Sequence, residues 1–196
     1  MAAVELTDVS RYGMDAPPGD ERLQEAILYV ARRLEDDPAG RGAVKLNKIL
    51  WWADFESFRE RLRSVTGAMY QKLPEGPAPV RQVPAREALI EEGAVELRQR
   101  DIGAPHPENV LRPLREPQQL FDADDLHYLD MALDKFRGMT GGECSEFSHW
   151  ASVGWRAVDF EQVIPYETSI IDPRPLTEEA RARGVEMAIA AGFIAE

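Results

Sequence analysis

The sequence predicts a mainly helical α+β fold, a central helix with packed flanking helices and a small antiparallel sheet. Three observations predict it. Apolar residues recur at helical spacing in several separate stretches; one of these is apolar around so much of its circumference that protein must surround it; and two short alternating runs follow a helix as the arms of a hairpin would.

Taken in order, residues 1–20 carry few apolar groups and close in DAPPGD, a turn cluster that supplies Asp20 as a candidate N-cap. They are expected to form a flexible leader ahead of a single domain spanning 21–196. Leu23, Ile27, Val30 and Leu34 then lay one apolar stripe along a helix near 21–35, which DDPAGRG stops. Between residues 44 and 62, two overlapping stripes, Leu46/Ile49/Leu50/Ala53 and Trp51/Phe55/Phe58/Leu62, mark the central helix. The β-branched and aromatic content of 66–72 predicts a short strand, and GPAP after it predicts an extended turn. A helix over 84–92 ends with Gly93 at its C′ position. AVELRQR and NVLRPLRE alternate as strands over 94–100 and 109–115, with IGAPHPE as a long tip. Helix followed by hairpin is winged-helix-like, an order shared by many α+β folds. Leu126, Leu129, Leu133 and Phe136 predict a helix over 124–137 with aspartates crowding its first turn, where the helix dipole favours them. Thr140 with Glu143 is a capping box for a helix over 142–152, and Thr177 before two glutamates caps a last helix over 176–190.

Composition narrows the function classes. The 23 Lys and Arg against 35 Asp and Glu leave a net charge of −12, which repels phosphate backbones overall. The single cysteine, Cys144, rules out an intramolecular disulfide framework, and with three scattered histidines there is no zinc-type spacing. No cofactor is expected. No apolar run approaches the roughly 18 residues of a membrane span, and the N-terminus lacks the basic start and apolar stretch of a secretory signal, so a cytoplasmic protein is expected.

One stretch invites a catalytic reading: ECSEFSHWASVGW, 143–155. A cysteine nucleophile needs a base within hydrogen-bond reach, yet on a helix five residues turn through about 500 degrees, so Cys144 and His149 diverge by about 140 degrees. Ser145 and His149 are an i, i+4 pair and can touch, but no partner carboxylate or G-x-S-x-G motif accompanies them. A hydrolase using Cys144 or Ser145 with His149 is therefore a lesser alternative. The segment reads better as a helix end in which Cys144, Phe147 and Ala151 face inward while Trp150 and Trp155 bury flat surfaces.

Three stretches, in order from Lys45 to Trp155, carry a family resemblance. KLNKILWWAD (45–54) is similar to a K-L-x-K-L-L-Y-F-A-D signature, TGAMYQKLPEGPAPV (66–80) to a T-G-x-x-Y…G-P-x-P segment, and ECSEFSHWASVGW to an L-S-x-x-[ST]-H…W segment. Together they resemble the Panacea, or SocA-like, antitoxin domain. The matching positions are Lys45, Leu46, Lys48, Ala53 and Asp54; Gly67, Tyr70, Gly76, Pro77 and Pro79; and Ser145, Ser148, His149 and Trp155. Trp51 and Trp52 depart from the usual Tyr-Phe, Cys144 stands where leucine is common, and the spacer QKLPE is unusual. The resemblance implies a bacterial or phage antitoxin that binds and neutralises a toxin encoded beside it, in a family that pairs one fold with many toxins and includes proteolytic adaptors that present the toxin to a protease. It implies no catalysis.

The same positions have readings of their own. Lys45 and Lys48, three apart, predict a solvated helix edge or a contact with an acidic partner. Asp54 on an apolar helix must be exposed or paired, with Tyr70 or His149 as candidate partners. The glycines and prolines predict fixed turns. Trp52 and Phe58 are candidates for an exposed patch. The alternative function is a winged-helix-like regulator, autoregulating through operator DNA, because Arg81, Arg86, Arg98, Arg100, Arg112 and Arg115 gather positive charge on the helix and hairpin of 84–115.

Overall fold

The computed structural model describes residues 20–101 and 107–193, so the expected leader up to residue 19 and the hairpin tip at 102–106 lie outside the described residues. Helix α1, Glu21–Arg33, buries the predicted stripe Leu23, Ile27, Val30, with Leu34 just past its end. Its N-cap is Asp20, but the carboxylate makes no cap bond and pairs with Arg81 instead. Helix α2, Ala43–Arg61, is the core: every residue from Lys45 to Phe58 except Trp52 is buried. Leu62 ends it in the left-handed region at φ 57, its N–H bonded to the Phe58 carbonyl.

Strands β1, Tyr70–Leu73, and β2, Gly76–Pro79, form a tight antiparallel hairpin pairing Tyr70 with Pro79 and Leu73 with Gly76. Helix α3, Gln82–Glu91, takes Pro84 within its first turn, where no helical N–H is lost, and ends at Gly93 with φ +75. Strands β3, Val95–Arg100, and β4, Glu108–Pro113, pair in the predicted hairpin. Helix α4, Ala123–Phe136, is capped by Asp122, and α5, Gly141–Ala151, carries the predicted capping box. A short helix α6, Val153–Ala157, follows, then β5, Val163–Ile164, and a 3-10 turn over Tyr166–Ile170. Helix α7, Glu178–Ala190, starts at Thr177 as predicted and buries none of its residues.

The expected single sheet of 66–72, 94–100 and 109–115 is corrected to two sheets. One has the order β2-β1-β5, and the other is β3-β4 alone. GPAP, expected as a turn, is an edge strand, where proline's missing N–H leaves no ladder bond unmade. The first strand begins at Tyr70 and not at residue 66, because the Thr66 N–H is drawn off to Asp54. Around α2 pack α1, α4, α5, β2 and the 3-10 turn, which places the core where the two overlapping stripes put it, except that Leu62 lies past the helix end and is exposed. Phe55 and Phe58 lie against Tyr166 at ring distances of 4.6 and 5.2 Å. Phe58 is thus buried, correcting its assignment to an exposed patch: a ring facing the packed 3-10 turn has no water to reach.

Candidate functional site

Fourteen motif positions converge on the β1–β2 hairpin and the helices that grip it. Leu46 and Ala53 fill the core between α2 and its neighbours. The others make or shape polar contacts, and the two lysines depart most from expectation. Neither is a solvated edge. Lys45 is fully buried, its ammonium 2.9 Å from Asp37 and 2.8 Å from the Met139 carbonyl, so it ties the loop after α1 to the α4–α5 junction. Burial pushes Asp37 upward, but the hydrogen bonds from Lys45, Gly138 and Ala39 outweigh it and hold the carboxyl below its usual range.

Lys48, one turn further, donates to the Pro77 carbonyl at 2.9 Å. Burial drives its ammonium from the ordinary 10.5 down to about 7, against the opposing pull of Glu75. Two more side chains treat the same hairpin in the same way. Ser145 on α5 donates to the Glu75 carbonyl at 2.9 Å, and the Trp155 indole on α6 donates to the Leu73 carbonyl at 3.0 Å. Carbonyls 73, 75 and 77 are therefore each taken by a different helix. An edge strand such as β2 normally leaves a carbonyl like that of Pro77 open to water or to another chain; here the fold closes it.

Gly76 shows how tight this clamp is. At φ +101 it sits where a Cβ would lie 2.2 Å from the Ser148 hydroxyl oxygen and 2.7 Å from the Lys48 Cε. Only glycine permits both the backbone angle and the approach. Pro77 and Pro79 follow it in β2, with every residue of the strand buried. Ser148 turns its hydroxyl back to the Ser145 carbonyl at 2.7 Å. His149 stacks flat on Trp155, with ring centres 4.0 Å apart and planes at 12°. Lys72 covers the Trp155 face at 4.6 Å from its ring centre.

Asp54 anchors the other end of β1. It is fully buried and accepts from the Thr66 N–H at 2.7 Å, from the Thr66 hydroxyl, and from the Tyr70 hydroxyl at 2.7 Å. Of the two candidate partners, Tyr70 is the one found. Burial raises the Asp54 carboxyl above its ordinary range, partly offset by these donors; burial and the Asp54 charge together raise Tyr70 well above 10. Gly67, at φ +75, turns the intervening loop and donates its N–H to the Ser64 hydroxyl.

The nucleophile candidates sit in this same framework. The Cys144 thiol is buried, and burial pushes it up to about 11, away from the thiolate form. Ser145 and His149 come within 3.5 Å, but the serine proton is directed at the Glu75 carbonyl and the imidazole is stacked on Trp155. Among the described residues, no three of His, Cys, Asp and Glu converge as metal ligands would.

The arginines of the alternative reading are mostly paired within the chain. Arg81 meets Asp20, Arg98 and Arg112 share Glu96, Arg100 approaches Glu108, and Arg115 holds both Glu25 and Glu92. Arg86 alone of the six has no ion pair among the described residues. Their positive charge is thus largely cancelled where phosphates would have to sit.

A groove that the motifs did not point to lies beside α2. It encloses about 220 Å³ between α2, the ends of α4 and α5, and residues 168–173. Trp52 forms one wall, meeting Phe147 at 5.2 Å, while Trp150 and Ile171 stand half-exposed at its rim. Trp52 is thus partly covered, and Trp150 is the more open ring. Trp51 and Ser169 are among its lining residues, and the Trp51 indole N–H and the Ser169 hydroxyl are sealed from solvent without a hydrogen-bond partner among the described residues; an unpaired buried donor costs about 1–3 kcal/mol.

With this geometry in hand, the comparison with known families is direct. The model of the antitoxin SocA-like, Panacea domain matches residues 46–156, more than half of the chain. The chain belongs to the Panacea family. The match runs from α2 through α6 and includes every motif position except Lys45, which stands one residue before it. No curated protein and no solved structure matches the chain. On this fold the motif positions singled out from the sequence form a clamp: Lys48, Ser145 and Trp155 close the hairpin carbonyls, and Asp54 and Tyr70 pin β1.

Proposed function

We propose that this Panacea-family chain is the antitoxin of a toxin–antitoxin pair and neutralises its toxin by direct binding, without breaking bonds itself. The observation that carries the reading is the antitoxin family match over residues 46–156. The clamp supports it, because the motif side chains that resemble catalytic groups are consumed by internal hydrogen bonds. A net charge of −12 favours a toxin of positive charge, and such steering raises association rates. No described helix is long and apolar enough to cross a membrane.

The toxin is proposed to be the product of the adjacent gene. Expressing that gene alone should arrest growth, and co-expressing this chain should restore it; equal toxicity in both cases, or none in either, overturns the proposal. Presentation of the toxin to a protease is a variant of the same reading, recognised by a shortened toxin half-life in the presence of the chain. Operator binding has weaker support, since five of the six arginines it would use already face carboxylates.

A further inference from the structure

We propose that β3 is a dimerisation edge: two copies of this chain set their β3 strands side by side, antiparallel, about a two-fold axis through Leu97. The two β3–β4 hairpins then form one continuous sheet. The proposal stands apart from the antitoxin reading, and its test needs no toxin.

The phase of the hairpin ladder decides which backbone groups are open. Pro113 stands opposite Val95 and has no N–H to give, while the Leu114 N–H reaches the Ala94 carbonyl at 2.8 Å. Bonded and non-bonded pairs alternate along an antiparallel ladder, so Glu96, Arg98 and Arg100 spend their backbone groups on β4. Those of Val95, Leu97 and Gln99 point the other way. The sheet is β3-β4 alone and β4 meets Gly42 in a bridge, so β3 is the edge with no strand beside it among the described residues. Leu97, Arg98 and Gln99 are exposed, and Leu97 keeps 46% of its surface in solvent. Such an edge is a template for another strand.

The order of side chains on the edge says which strand fits. Open residues must meet open residues, so a second β3 can slide along the first only in steps of two residues. Centred on Leu97, the pairing sets Glu96 against Arg98 of the second copy and Arg98 against Glu96 of the second copy. One step to one side sets Glu96 against Glu96 of the second copy, and one step to the other sets Arg98 against Arg98 of the second copy. Opposite charges directly across a sheet are favourable and like charges are not, so Glu96-Leu97-Arg98 complements itself in the register centred on Leu97. There the two exposed leucines also meet each other. Glu96 already pairs with Arg98 and Arg112 of its own chain, but these groups are about half exposed and such pairs exchange at little cost. The charges therefore choose the register, while the backbone bonds and the leucines hold it.

Sedimentation velocity of the purified full chain is the test, with a mass expected to rise toward twice that of one chain between about 1 and 200 µM. A chain that stays monomeric throughout overturns the proposal. Leu97→Pro removes an outward N–H and no bond to β4, and should weaken the dimer about tenfold or more. Glu96→Arg and Arg98→Glu, each bringing like charges face to face on both sides of the axis, should each weaken it about tenfold. The chain carrying both replacements has the wild-type net charge and opposite charges facing again, and should dimerise as wild type does. An equimolar mixture of the two single variants should pair for the same reason.

Thermal melts establish that each variant folds, and the charge series decides the matter if Leu97→Pro does not. A dimer that survives both charge reversals lies on another surface and overturns the proposal. So does a double variant that dimerises no better than the single ones.

Discussion

Around the β1–β2 hairpin, Lys48, Ser145 and Trp155 each end on a carbonyl, whereas in the neighbouring groove Trp51 and Ser169 end on nothing. Both regions draw on α2 and α5, and both are rich in aromatic rings. They differ in whether their polar groups are filled. A region whose polar groups are filled gains few hydrogen bonds from further contact, while exposed rings gain burial on contact. In this chain the signature positions build the scaffold, and Trp150 beside them stays half-exposed. The exposed groove residues can therefore change without disturbing the clamp.

The sharpest way to break the comparison is at Asp54. Asp54→Ala strands the Thr66 and Tyr70 donors in the core, and should cost about 3–5 kcal/mol of stability, read from urea unfolding. A loss below about 1 kcal/mol would mean that the clamp is not structural. Gly76→Ala should follow at about 3 kcal/mol, combining the unfavourable φ with collision against the Ser148 and Lys48 side chains. Unfolding midpoints of the two variants at constant m-value check both figures.

Lys48 sharpens the comparison through pH. Its folded value, about 7, lies below the ordinary 10.5, so across that interval the unfolded chain binds a proton that the folded chain does not. Stability therefore rises with pH there, and the penalty of the buried charge is fully present below about pH 7. Between pH 7 and 9, wild type should gain about 2 kcal/mol relative to Lys48→Met, in which the slope is gone. A parallel pH profile for both proteins would place Lys48 in water. The smallest effect belongs to the groove. Trp150→Ala should shift stability by less than about 1 kcal/mol, because the ring is half in solvent already. A large loss would make Trp150 part of the scaffold and erase the distinction.

Much of the fold is legible along the chain. The α1 stripe, the all-round apolar α2, the Thr140/Glu143 capping box and the Gly93 stop all lie where local pattern places them, since each acts over a few residues. The sheet is less legible. GPAP reads as a turn because proline is poor in strands, and only its edge position next to β1 makes it one. The aspartates at the start of α4 read as dipole partners, yet Asp125 is buried between Arg22 and Arg61, arginines from other elements. The groove had almost no signal. Lys135 looks like any surface lysine, and Ser169 like any loop serine.

The sequence alone determined the longer helices, the Thr140 and Thr177 caps and the residue types of the clamp, because periodicity and capping are written in neighbours. The tertiary structure decided what those residues do. Lys48 reaches a carbonyl 29 residues away, Ser145 one 70 away and Trp155 one 82 away. Whether a lysine is solvated or buried, or an aromatic ring sealed like Phe58 or open like Trp150, depends on which distant segment arrives to cover it, and no local pattern encodes that arrival.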